Sequence, residues 1–315
     1  MSGFKKIIVT TLIIASVSIG IGAYIIFESG LGTGEIADEI RNLFSRNEIS
    51  FNLGSGVDVA EDLSYSMDNK EMILVDTKIG DLEVNGYDGD EIRLLVEGSV
   101  PERYLEKYLK VEDSADELKI YFYKDISNLN FSIGNNYDLD IELLVPEEYL
   151  GNVHFENVSG DITLEDIFAK EVHVENISGD IVLEAGDHDK VTFNNISGQF
   201  ISYSSIKVLE GESVSGKITA TEVSDSFKLD SVSGSVNIGA KTLLRDAEIG
   251  TISGSVTVEI EELDDLSYDL SSVSGKITVD TSEGINQSSQ SLERNVNNTL
   301  KLDVSTVSGK IDIKY

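Results

Sequence analysis

Eight copies of one short pattern constrain this chain more than any other feature. Asn157 to Leu164 reads NVSGDITL, and it recurs as NISGDIVL from Asn176 and NISGQFIS from Asn195. Looser copies begin at Ser213, Ser231, Thr251, Ser272 and Thr306. Their glycines are Gly160, Gly179, Gly198, Gly216, Gly234, Gly254, Gly275 and Gly309, spaced by 19, 19, 18, 18, 20, 21 and 34 residues. A period of about 20 marks a stacked repeat array. Each copy places Val or Ile before Ser-Gly and a short alternating apolar run after it. A second run precedes it: Val153-His154-Phe155, Val172-His173-Val174, Val191-Thr192-Phe193. Two strands therefore flank each Ser-Gly, and no long helix fits between copies. A unit this small cannot bury an apolar face alone, so parallel stacking is required. The predicted fold is all-β: a β-helix-like solenoid of about eight rungs, each 18–21 residues long.

Stacking places equivalent residues in rows separated by about 4.8 Å. The serines before the glycines form one row, and Asn157, Asn176 and Asn195 another, continued by Ser and Thr. Both rows are expected to satisfy buried polar groups by hydrogen bonding along the stack. The apolar parity shifts between Phe155 and Val158, which predicts a bend near Glu156-Asn157. Ser-Gly is then a corner or a flattened strand position.

The rest of the chain is read in order. Residues 1–6 carry Lys5 and Lys6 and form a cytoplasmic stub. Ile7 to Phe27 is an uncharged run of 21 residues, long enough as a helix for a bilayer core of about 30 Å. The lysines before it and acidic residues after it place the rest of the chain outside; a cleaved signal peptide is the alternative. Residues 28–70 read as a stalk, with a short amphipathic helix possible over Glu35–Arg46. Residues 71–150 read as an irregular β cap, with a helical turn or two possible over Pro101–Asp113. Residues 151–315 are the repeat solenoid, with a polar loop inserted at 281–299.

Tandem Ser-Gly-Asp-Ile units behind an N-terminal apolar segment resemble the putative adhesin family, a group of prokaryotic envelope proteins. TKIGDLEVNGYDGDEIRLLVEG (Thr77–Gly98) resembles that family's opening unit, and LLVPEE (Leu143–Glu148) its step before the regular repeats. The resemblance covers roughly residues 70–315. It implies a surface β-solenoid and supplies no catalytic residues.

Chemistry is sparse. The chain has no cysteine, which removes disulfides, thiolate metal sites and cysteine nucleophiles. A net charge of −33 disfavours nucleic acid as a partner. No nucleotide loop, nucleophile elbow or zinc-helix motif is present. His154 and His173 share a repeat position beside Glu156 and Glu175, an arrangement that suits a transition metal or simply reflects repeat duplication. His188 is expected in a turn. Stacking brings Asp161 over Asp180, Glu156 over Glu175 and Glu165 over Glu184, three carboxylate rows that could hold Ca²⁺ weakly on the surface. No other cofactor is expected. The leading functional expectation is a non-enzymatic, membrane-anchored surface-binding protein with an envelope polysaccharide or protein as partner. An envelope accessory or sensory protein contacting a membrane partner is one alternative; a carbohydrate-active β-helix enzyme is another.

Overall fold

The computed structural model describes residues 56–123, 139–261, 266–282, 284–296 and 300–315. Within them the chain is built from 23 strands joined in one sheet, with a single 3-10 turn at Glu102–Tyr104. The membrane-span expectation for residues 7–27 and the helix at 35–46 lie outside the described residues. Among the described residues, no helix is long and apolar enough to cross a membrane.

One rung shows how the repeat folds. Asn152–Ser159 runs into Gly160, and Ile162–Glu165 continues on the other side. Burial alternates along the first strand, so Val153, Phe155 and Asn157 all point inward. After the corner Ile162 and Leu164 point inward. The bend predicted near Glu156-Asn157 is absent. Parity is kept because the third inward position is a buried asparagine, and Val158 faces out half-buried.

Rungs stack in parallel and in register. Asn152–Ser159 pairs residue for residue with Glu171–Ser178, and that strand with Asp187–Ser197. Ile162–Glu165 pairs with Ile181–Leu183, and that with Phe200–Ser215. The long strands Phe200–Ser215 and Ile218–Ser233 each finish one rung and begin the next. Inward residues form apolar columns, among them Phe155, Val174, Phe193, Leu229, Ile249 and Val304, all buried. Gly211 occupies the same column, and the Phe193 ring fills the space its side chain would take.

At both ends the stacking departs from sequence order. The last repeat, Lys301–Ser308 with Ile311–Lys314, does not lie outside the seventh. It sits between the sixth (Ala247–Ser253, Val256–Ile260) and the seventh (Ser267–Ser274, Ile277–Thr281). The reason lies in the segment predicted as a loop. Gly284–Ser288 and Ser291–Arg294 pair antiparallel with Ile277–Thr281 and Ser267–Ser274 and occupy that rung's outer edge. The chain then returns along the inner edge. Antiparallel strands finishing a parallel stack cover edges that would otherwise template further pairing.

The N-terminal region is likewise more regular than a cap over 71–150. Met72–Thr77 and Asp81–Tyr87 form a full rung directly against Asn152–Ser159 and Ile162–Glu165. Glu117–Phe122 and Leu139–Pro146 form one more rung beyond it. Antiparallel Leu109–Asp113 and Glu91–Pro101 then close that end. Gly56–Ser66, within the expected stalk, pairs antiparallel with Glu91–Pro101. Ten parallel rungs therefore stand where about eight were expected.

Candidate functional site

Two features of the sheet gather polar chemistry: the Ser-Gly corner and the outer face of the strand before it. At the corner, seven of the eight repeat glycines, all but Gly275, donate their N–H to the serine carbonyl of the adjacent rung, as in Gly160 to Ser178 at 3.0 Å and Gly179 to Ser197 at 3.0 Å. Six of the eight repeat glycines have φ between +129° and +157°. A Cβ at any of these six, or at Gly254 or Gly275, would run into a neighbouring rung's glycine carbonyl. Glycine is thus required for close approach at every rung and for conformation at most.

The asparagines complete the corner. Asn157 Nδ2 donates to the Gly80 carbonyl and Asn176 Nδ2 to the Gly160 carbonyl, both at 3.0 Å. Their Oδ1 atoms accept the N–H of Ser159 and Ser178. One buried side chain therefore satisfies a backbone group in its own rung and one in the rung before. The serine row behaves differently from expectation. Ser159, Ser178 and their counterparts are exposed, and they contribute carbonyls rather than hydroxyls.

The aspartates after glycine form a second ladder. Asp81 Oδ1 accepts the N–H of Asp161 at 2.8 Å, Asp161 Oδ1 that of Asp180 at 2.8 Å, and Asp180 Oδ1 that of Gln199 at 2.7 Å. Asp161 and Asp180 thus each hold the adjacent rung through one carboxylate oxygen. The ladder begins at Gly80-Asp81, a repeat corner that the eight-copy pattern does not include.

The outer face before the corner carries the histidines. His154 and His173 are register partners, as are Glu156 and Glu175. The two rings meet edge to face, centroids 4.4 Å apart. They are half-buried rather than exposed, with side chains 26% and 34% accessible. His173 Nε2 lies 2.9 Å from Glu175 Oε1, and Asn194 Nδ2 donates to the same oxygen at 3.2 Å. His154 Nε2 is 3.1 Å from Glu156 Oε1 but outside hydrogen-bonding geometry, and it is buried without a partner. Burial, reinforced by the neighbouring His173, holds the His154 imidazole down to about 4, so it is neutral at physiological pH. The hydrogen bond from His173 holds the Glu175 carboxyl below its ordinary range. Further along this face burial pushes Glu212 and Asp230 up, helped by Asp230 and Glu248 respectively.

Residues 70–314 match the family model described as Toastrack DUF4097. The chain belongs to the Toastrack DUF4097 family. No curated protein matches it. Among solved structures it is similar to one titled a putative adhesin from Bacteroides fragilis, at TM-score 0.51 and 11% identity, covering 82% of this chain and 98% of that one. It is also similar to one titled a putative lipid binding protein from Parabacteroides distasonis, at TM-score 0.49 and 17% identity, covering 82% and 98%. At such identities the Bacteroides likeness establishes a shared fold and nothing of chemistry.

The three predicted carboxylate pairs stack on adjacent rungs, each pair in a different place. Asp161 and Asp180 belong to the corner ladder. Glu156 and Glu175 stand on the outer face beside the histidines. Glu165 and Glu184 are exposed at the far end of the second strand. His188 is not in a turn. It is buried in Asp187–Ser197, its Nδ1 2.8 Å from the Ala169 carbonyl oxygen, and burial lowers its pKa.

Proposed function

We propose that this Toastrack protein is a non-enzymatic envelope protein that presents its solenoid as a rigid binding surface outside the cell. A single span over residues 7–27 anchors it, with residues 28–315 extracytoplasmic. The partner is an envelope polysaccharide or a surface protein.

One observation carries the reading. The outer face of the strands after the corner carries a register of small and β-branched side chains, Thr163, Val182, Ile201, Thr219, Asn237 and Thr257, flanked in the same row by Glu83 and Asp312. Tyr203 stands on that same face, two residues after Ile201, with 53% of its surface accessible. An accessible tyrosine on the outer face of the sheet offers an apolar ring and a polar tip to a sugar ring or a partner's backbone. The inward groups and the corners are spent on holding rungs together, whereas the outer side chains of this face, Tyr203 among them, are available for contact.

The test is sedimentation of isolated envelope polysaccharide with the full-length chain in liposomes. The reading predicts co-sedimentation, reduced at least fivefold by Tyr203→Ala with the melting temperature unchanged. Stoichiometric co-purification of a membrane protein instead, with no envelope binding, would point to an accessory role and contradict it.

A further inference from the structure

We propose that His154, His173 and Glu175 form a binding site for one divalent transition-metal ion of the imidazole-binding class, with Zn²⁺ the representative ion. The inference is independent of the surface-binding reading, since it rests on a different face of the solenoid.

The geometry comes from the repeat. Parallel in-register pairing sets His173 directly beside His154, and Glu175, two residues further along, points to the same face. One potential ligand atom from each residue lies within 4.8 Å of the others. A tetrahedral Zn²⁺ with bonds of about 2.0–2.2 Å brings its ligand atoms to roughly 3.4 Å from one another. Side-chain rotations on a half-buried face close the remaining ångström without moving the backbone. Asn194 supports the third ligand through its hydrogen bond to Glu175 Oε1, the kind of outer contact that orients a metal-bound carboxylate.

A second observation points to a ligand. His154 Nε2 is buried without a hydrogen-bond partner, and an unsatisfied buried nitrogen is costly. His173 Nε2 and Glu175 Oε1 stand 2.9 Å apart in a hydrogen bond, with the ring as its Nε2–H tautomer. On metal binding that proton shifts to the other ring nitrogen, and both Nε2 and the carboxylate are freed to coordinate.

The site is single. In the same register row Leu74 lies on one side of the histidines and Thr192 on the other, neither a ligand for such an ion. Two nitrogens and one carboxylate favour Zn²⁺, Ni²⁺ or Cu²⁺ over Ca²⁺, which takes six or more oxygens. Duplication alone explains why two histidines share a row. It does not explain the asparagine-braced carboxylate or the unsatisfied nitrogen.

Calorimetric titration of the full-length chain in detergent with ZnCl₂, against CaCl₂ at equal ionic strength, tests the proposal. One Zn²⁺ per chain should bind, with at least tenfold lower affinity for Ca²⁺. His154→Asn and His173→Asn should each weaken Zn²⁺ binding at least tenfold while circular dichroism stays unchanged. Bound Co²⁺ should show the intense visible bands of a four-coordinate site, lost in both variants. If either asparagine variant fails to fold, Glu175→Gln and the wild-type Co²⁺ spectrum decide the question. No Zn²⁺ binding above that of Ca²⁺, or unchanged binding in folded variants, would overturn the site.

Discussion

Backbone conformation and close approach are separable demands on glycine in this sheet, and alanine substitution tests them one at a time. Gly284 has φ +139° with nothing within 4 Å of an added Cβ, so Gly284→Ala carries conformational strain alone, about 1–2 kcal/mol. Gly254 lies outside the left-handed region, yet its Cβ would strike the Gly234 carbonyl, so Gly254→Ala carries steric conflict alone. Gly234 has φ +135°, and its Cβ would strike the Gly216 carbonyl. The struck atom is backbone in a register-locked rung, so relief requires the rungs to part. Parting them strains the bonds from Gly216 N–H to the Ser233 carbonyl and from Ile218 N–H to the Ser235 carbonyl, at 3.1 and 2.9 Å. Losing one of these costs about 1–3 kcal/mol, and the core shift a similar amount. Gly234→Ala should therefore cost roughly 3–8 kcal/mol. At about 2–4 °C per kcal/mol for a domain of this size, its melting temperature falls by around 10 °C or more. Gly284→Ala should lose only a few degrees, and Gly254→Ala should fall between. The assay is thermal melting of the full-length chain in detergent by circular dichroism. Equal melting of the Gly234 and Gly284 variants, or a neutral Gly254→Ala, would refute the account of the corner.

The other perturbations act on neighbouring parts of the same stack. Asn176→Ala orphans the Gly160 carbonyl and the Ser178 N–H and should cost about 2–3 kcal/mol in chemical denaturation, whereas Ser178→Ala, at an exposed hydroxyl, should stay within about 0.5 kcal/mol. Deleting residues 301–315 should abolish the cooperative transition of the C-terminal rungs and expose their amides to hydrogen exchange, because these strands are bonded on both edges; mere loss of a terminal rung would leave the transition intact. Stability should fall with acidification from about pH 6.5 toward 4. His154 and His188 are held neutral in the fold and protonate more readily when unfolded, so the unfolded state gains protons first. For His154 the loss at pH 5 is on the order of 2 kcal/mol before screening by its partial exposure, and His154→Asn should flatten the profile measured by denaturation.

The repeat was legible in the sequence because its glycines are fixed by geometry that no other residue tolerates. Register followed from that, and so did the apolar columns. What escaped was each place where a polar residue does a core residue's work. Asn157 fills an inward position, which sequence parity registered as a bend. Asp161 and Asp180 bind backbone N–H groups across rungs, a pairing invisible until the corner is built. Gly80-Asp81 lies in the stretch that resembles the family's opening unit, but with Ile79 instead of Ser before the glycine it does not match the repeat pattern. Thr77 at the Asn157 register and the shared Gly-Asp pair were the available signal. The end rungs were illegible for a different reason. The segment after Val279 is polar and reads as a loop, yet its strands need only backbone pairing to cover an edge, and backbone pairing leaves little trace in side-chain pattern. The placement of the last repeat follows from that edge and cannot be read from spacing.

The most direct test of the central claim is protease accessibility of the native protein. Spheroplasts carrying the full-length chain with an N-terminal tag are treated with protease, with and without lysis. Display outside the cell predicts that intact spheroplasts lose the solenoid and keep a short, protected, tagged fragment ending near the apolar run at residues 7–27. A full-length chain that resists digestion in intact spheroplasts and is cut only after lysis would contradict the account.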